Sequence, residues 1–360
     1  RESASQCLAH MLASGADPRA TTLDDDYPGG HLTTIGAAAG YAGVAEWCER
    51  LAAAGATPSS EDLSFALAKQ QWDAAEKLVS LGVSCNALDA GGCHAPLHWL
   101  ADYDGKLEPI QWLLEGNADV NLAAGPLKET PLHTAVRRRR MPLVEPFVRA
   151  GADIDARTTG GVTAYQHALR RKFTEVCREL ERLGASTEEN DWDRLAVACQ
   201  TGNIDEAKAI LRAAPELPKG ACFEDARLLP DLTGYSKLEA MTLLIDAGID
   251  IEARGLDNGT SLHIAGWFGQ PEAARLLIAR GASLDPIGDD HHSTPLGWVA
   301  HGSRYSGGAE QNQDAYADVA RQLLEAGAPL PGPKDTHDHP QLRQATPAVQ
   351  AVLREFGWDG

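Results

Sequence analysis

No stretch of this 360-residue chain approaches the ~18 consecutive apolar residues that a membrane span requires. Nothing at its start reads as a secretory leader. Arg1 stands where an initiating Met is expected, which points to a trimmed or incomplete N-terminus. Paired cysteines are also missing. Cys7, Cys48, Cys85, Cys93, Cys177, Cys199 and Cys222 form an odd, scattered set with no Cys-x-x-Cys, the pattern of reduced thiols and a cytoplasmic setting. Positive charge is scarce, with 32 Lys and Arg against 51 Asp and Glu and a formal net charge of −19. That balance argues against nucleic acid, whose binding rests on many cationic contacts to phosphate. A Gly-rich phosphate loop, a Gly-x-Ser-x-Gly elbow and a catalytic Cys in a recognisable context are all absent. Their absence does not exclude catalysis, since several helices can assemble a site together.

What is present is repetition. Thr130-Pro131-Leu132-His133-Thr134-Ala135 has weaker copies at Ala95-Pro96-Leu97-His98, Thr260-Ser261-Leu262-His263 and Thr294-Pro295-Leu296-Gly297. An apolar helical stretch and a Gly-Ala turn follow, as at Gly151-Ala152, Gly281-Ala282 and Gly327-Ala328. The interval from opening Thr to closing Gly is 21 residues from Thr130, Thr163 and Thr260, and the same interval links Glu61 to Gly82 and Arg227 to Gly248. A fixed period means one supersecondary unit stacked on itself, each copy touching only its neighbours. Within a unit, Thr caps a first helix, Pro suits its first position, and Gly after the second helix permits a left-handed turn. Second helices carry the locking apolar residues, including Leu243-Leu244-Ile245 and Leu276-Leu277-Ile278, with Trp47, Trp72 and Trp112 as packing residues.

The Thr-Pro-Leu-His run at this period resembles the ankyrin repeat family. The resemblance covers nearly the whole chain and implies an all-α repeat solenoid: an ankyrin-type stack of about nine to ten helix-turn-helix units with finger-like turns and end caps. Residues 1–328 form the repeat array on this reading. Its first unit is partial (Ser5 to Asp17), and the units near 193–250, opening at Asp193 and Arg227, are degenerate. The unit from Thr294 carries an insertion, Ser303 to Gln313, between its helices. A Pro-rich linker, 329–341, is expected to be extended, and 342–360 to form a C-terminal capping helix.

On each first helix, positions 4, 7 and 8 after the Thr-equivalent share one face. The resemblance implies that this face lines a concave groove. Reading it along the chain gives Tyr41, then Phe65 and Lys69, then Trp99, Asp102 and Tyr103, then Arg137 and Arg138, then His167, Arg170 and Arg171. The far half gives Asp231 and Tyr235, then Trp267 and Phe268, then Trp298 and His301. The expected groove has a basic centre between aromatic walls, suited to an acidic protein segment with apolar anchors. The anticipated contacts are Trp99, Tyr103, Arg137, Arg138, His167, Arg170, Arg171, Asp231, Tyr235, Trp267, Trp298 and His301.

His98, His133 and His263 occupy the signature position, where the resemblance implies a structural bridge within and between repeats. His167 differs, because Gln166 holds that position and leaves His167 on the groove face beside Arg170. An alternative therefore stays open: binding of, or general acid/base catalysis on, a small anionic or aromatic compound. His167 would be the base, assisted by Asp231 or His301. A spacer without a ligand is a third reading. The Asp289-Asp290-His291-His292 and His337-Asp338-His339 clusters lack helical ligand spacing, and Asp24-Asp25-Asp26 reads as a solvated turn, so no metal or cofactor is expected. The expected partner is a protein or peptide, with a small anionic ligand as the alternative, and neither nucleic acid nor membrane.

Overall fold

The computed structural model describes residues 10–23, 31–286, 293–332 and 338–358. Most of Ser5 to Asp17's first half, Asp24 to Asp26, the Asp289 to His292 cluster and His337 lie outside them. The fold is an all-α repeat stack of ankyrin type, and the paired strands among the described residues are a short antiparallel hairpin, Thr21–Leu23 with His31–Thr33. Contacts divide the chain into two compact units. Unit 1 comprises 1–169 and 173–187; unit 2 comprises 170–172 and 188–360, and each has its own apolar core.

The five units with the 21-residue interval share one backbone plan. Nine residues after Glu61, Thr130, Thr163, Arg227 and Thr260 the chain turns left-handed, at Gln70, Arg139, Lys172, Ser236 and Gly269, with φ between 53° and 60°. A nine-residue second helix follows, as at Trp72–Ser80, Met141–Arg149 and Pro271–Ala279. It closes at Gly82, Gly151, Gly184, Gly248 or Gly281, again left-handed. The unit from Arg227 is worn in sequence yet regular in geometry over Leu228–Gly234 and Leu238–Asp246.

Two units are one residue longer. In those opening at Thr33 and Ala95, the left-handed residue comes ten positions later, at Gly43 and Gly105. The extra residue is absorbed as a π-helical turn at Ala37–Ala42 and at Leu100–Asp104. The closing turns move by the same step, to Gly55 and to Asn117 rather than Gly116.

Side chains from the next unit finish these first helices. Arg140 Nη2 donates to the Asp102 and Tyr103 carbonyls at 3.0 and 3.2 Å, Gln270 Nε2 to the Gly234 carbonyl at 3.2 Å, and Lys106 Nζ to the Ala68 carbonyl at 3.3 Å. Terminal carbonyls with no partner inside their own helix are thereby satisfied. Glycine suits Gly105 on two counts. Its φ is 69°, and a Cβ there would lie 2.7 Å from Arg140 Nε.

Histidines bridge units as the sequence predicts. His133 Nδ1 accepts from the Thr130 N–H at 3.3 Å and lies 2.9 Å from its hydroxyl, while Nε2 donates to the Val162 carbonyl of the next unit at 3.3 Å. His263 repeats this with Thr260 and the Ser293 carbonyl. In the Thr163 unit, Gln166 Oε1 replaces the ring nitrogen, accepting from the Thr163 N–H at 3.0 Å. His98 keeps only half of the bridge. Its Nε2 reaches the Glu129 carbonyl at 3.0 Å, but Ala95 has no hydroxyl and His98 Nδ1 makes no hydrogen bond. Burial pushes its pKa down to about 4, so it is neutral at pH 7.

Two regions depart from the expected boundaries. The degenerate unit at Asp193 begins earlier, with Asn190 capping the helix Asp191–Thr201 and Asp193 completing the box. Likewise, the helix Asp338–Gln344 starts inside the stretch expected to be an extended linker. It packs on Pro295–Tyr305 and the next helix, Pro347–Glu355, packs on Gln313–Glu325; Leu342, Val349 and Leu353 enter the core of unit 2. The capping element is a helix pair because Leu342 and Ala345 can bury apolar surface that a Pro-rich strand could not. The insertion from Ser303 first lengthens its helix, which runs Pro295–Tyr305, before leaving it.

Ala95 has φ −92° and ψ 168°, close to the −88° and 166° of Thr130, so threonine fits that backbone. Ala95→Thr is predicted to raise the unfolding free energy by about 1–2 kcal/mol, by supplying both the cap and the missing histidine partner. Urea denaturation reads this as a higher midpoint. An unchanged or lower midpoint would contradict the bridge.

Candidate functional site

In unit 1 the Arg137 and Arg138 side chains leave the end of their helix and converge on one buried carboxylate from the preceding unit. Arg138 Nε bonds Asp102 Oδ1, and Arg137 Nη2 lies 3.4 Å from Oδ2. Arg137 Nε also donates to Glu129 at 3.2 Å. His94 approaches from the finger, with Nε2 3.7 Å from Asp102 Oδ2 and Nδ1 3.1 Å from Asp89 Oδ2. Burial alone would raise the Asp102 pKa, but His94, Arg137 and Arg138 together hold it well below the usual carboxylate range. Burial alone would lower His94; hydrogen bonds to Asp102 and Asp89 outweigh it, and its pKa rises. The basic centre expected from the sequence is thus neutralised from beneath in this unit.

Unit 2 treats its arginines the same way. Arg170, only 9% exposed, donates from Nε to Asp193 and from Nη1 to Asp225, each at 2.6 Å. Gln200 holds the Arg170 carbonyl, and Arg171 Nε donates to Asp231 Oδ2 at 3.1 Å. Asp231 therefore accepts from an arginine. His167 itself is 7% exposed.

The aromatic residues divide into buried and exposed sets. Trp99 and Trp298 are packed at 8% and 5% exposure, whereas Tyr103 and Tyr235 stand out at 57% and 60%. Trp99 supports Tyr103 by stacking, with centroids 5.3 Å apart and planes at 29°. Trp298 fills space beside the finger, edge-on to His263 at 5.2 Å, against Gly259, where a Cβ would come within 2.9 Å of the indole. Trp267 and His301 stack at 5.5 Å, and Tyr305, one turn on, lies 4.6 Å from His301. The two helices approach closely at Gly302, where a Cβ would sit 2.4 Å from the Trp267 carbonyl oxygen. Trp47, Trp72 and Trp112 are half-buried against the core of unit 1.

Several participants escape a reading by register alone. His94 and Glu129 precede the first helices, and Asp225 lies on a short added helix, Phe223–Ala226. Asp102 was within reach: it holds the same register as Arg137 in the next unit, so the two were bound to meet. Tyr305 lies four residues after His301, a helical neighbour concealed by the apparent insertion.

Six of the cysteines lie among the described residues and all six are free. Burial pushes the Cys199 thiol up to about 12 and those of Cys48 and Cys177 to about 11. Such thiols are packing residues rather than nucleophiles. Among the described residues no group of three His, Cys, Asp or Glu side chains is placed to hold a metal, and no helix is long and apolar enough to cross a membrane.

With this architecture, known proteins align as the repeats suggest. Residues 128–159 match the family described as ankyrin repeat. Human ankyrin repeat and SOCS box protein 16 is 34% identical over 172 residues, 44% of this chain and 38% of that protein. Human SH3 and multiple ankyrin repeat domains protein 2 is 25% identical over 215 residues, 58% of this chain and 10% of that protein. BRCA1-associated RING domain protein 1 of Caenorhabditis elegans is 34% identical over 109 residues, 27% of this chain and 15% of that protein. The chain spans well under two thirds of the length of each of these relatives. The repeat geometry and these matches define an ankyrin repeat protein. Such repeats generally serve as protein-interaction modules.

Arg170→Ala strips Asp193, fully buried, of its cation. The variant is predicted to lose about 3–5 kcal/mol of unfolding free energy, as when one partner of a buried pair is removed. Urea denaturation measures it, and a loss below ~1 kcal/mol would show that the pair is not a structural support.

Proposed function

We propose that this chain is a non-catalytic recognition module that binds a segment of a partner protein on the exposed face of its first helices. The observation that carries this reading is a register of rings left in solvent. Eight residues after the Thr-equivalent stand Tyr41, Tyr103, Tyr235 and Phe268, exposed by 53%, 57%, 60% and 38%. The helix pairs do not need large rings there, because Lys69, Arg138 and Arg171 serve in the same place elsewhere. Rigid aromatics at exposed, recurring positions are what protein interfaces use as anchors.

The remaining residues of the anticipated set support that face. Trp99 backs Tyr103, Trp298 and Trp267 back His301 and Tyr305, and the arginines hold the helix ends to buried carboxylates. His167, Asp231 and His301 take packing, pairing and stacking roles on this reading, in place of proton transfer.

A photo-crosslinking amino acid installed at 103 or 235 in living cells tests the proposal. Both are predicted to form adducts with protein partners, whereas the outward second-helix positions 149 and 275, with side chains 77% and 63% exposed, do not. Adducts forming equally well from 149 and 275 would remove the first-helix face from consideration.

A further inference from the structure

Four consecutive units of unit 1 place Tyr41, Lys69, Tyr103 and Arg138 in one register, so ring and cation alternate along the face. Both tyrosines sit in the two π-helical turns, Ala37–Ala42 and Leu100–Asp104. Single-turn π-bulges are rare and recur at functional sites. Lys69 Nζ lies 5.3 Å above the Tyr41 ring and 5.1 Å above Phe65, which holds its charge against the aromatic surface. Trp99 fixes Tyr103 from behind.

The charges here are layered. Arg138 is 29% exposed and its partner Asp102 only 4%; Lys106 is 48% exposed and its partner Asp104 only 12%. In each pair the cation is the more exposed member, so the solvent side presents cations ahead of their acids on a chain of net charge −19. A local patch of this kind attracts anionic groups within roughly a Debye length, ~8–10 Å, where the distant acidic residues are screened.

We propose that this row binds an extended acidic segment of a partner protein, its apolar side chains on Tyr41 and Tyr103 and its carboxylates on Lys69 and Arg138. The proposal deepens the recognition reading above and rests on it. Its spacing follows from geometry. Packed helices lie about 8–10 Å apart and an extended chain rises about 3.3 Å per residue, so successive contacts fall every third residue. The preferred sequence is then aromatic or apolar, two spacers, Glu or Asp, two spacers, and so on.

Fluorescent 12-residue peptides test this by anisotropy against the full chain. One alternates Phe and Glu at every third position with Ser and Gly between; a second replaces Glu with Lys; a third is the Phe/Glu composition with its acidic residues adjacent. A 12-nucleotide oligo-dT serves as a second polyanion. The spaced acidic peptide is predicted to bind about ten-fold more tightly than the Lys peptide at low salt, and to weaken several-fold as salt rises. Lys69→Glu and Lys69→Gln, each checked for an unchanged melting temperature, and Tyr103→Ala should weaken it about five-fold or more. Equal binding of the Lys peptide, the adjacent-acid peptide or oligo-dT, no effect of the Lys69 variants, or no binding of the spaced acidic peptide would overturn the proposal. Crosslinking from position 103 that persists in any of those cases would leave the recognition reading standing and remove only its acidic partner.

Discussion

A carboxylate taken out of water must be met by cations and hydrogen bonds, or it will protonate or unfold the segment that carries it. In unit 1 that demand falls on Asp102, and the answer comes from the following repeat through Arg137 and Arg138 and from the finger through His94. In unit 2 it falls on Asp193, answered by Arg170. These contacts lie at the ends of first helices, where side chains of one repeat reach the next. They hold the arginines at these helix ends in place, while Trp99 backs the Tyr103 ring.

The same helix ends tolerate change because neighbouring repeats close them. An extra residue in the Thr33 and Ala95 units shifts the left-handed turn by one position, and the second helices still dock. Arg140 then covers the carbonyls that the widened π-helical turn exposes. The histidine position shows similar tolerance, since Gln166 replaces the contact to the opening Thr and an alanine beneath His98 leaves its bond to the Glu129 carbonyl. Each repeat contacts few others, and local departures stay local.

Much of this was legible in the amino-acid sequence where geometry repeats strictly. The 21-residue interval marked five units whose backbone turns coincide, including the Arg227 unit, which has lost the signature residues. The interval does not extend to the Ala95 unit, where Asn117, 22 residues on, takes the left-handed conformation. The face of the first helices was also assigned from register, and Tyr103 and Tyr235 lie in solvent on it. Register could not show which arginines are matched by buried acids, because Asp193 and Asp225 come from worn or added helices with no fixed offset. Nor could it show that Trp99 and Trp298 turn inward, since that depends on the room left by Tyr103 and Gly259.

The central claim is that Asp102 and Arg138 act as one unit, the acid buried to hold the cation on the surface. A double-mutant cycle of Asp102→Asn and Arg138→Ala, read by urea denaturation, measures that dependence directly. The account predicts a coupling of about 1–3 kcal/mol between the two positions. Additivity within ~0.3 kcal/mol would contradict it, leaving the cation to hold its place without the acid beneath.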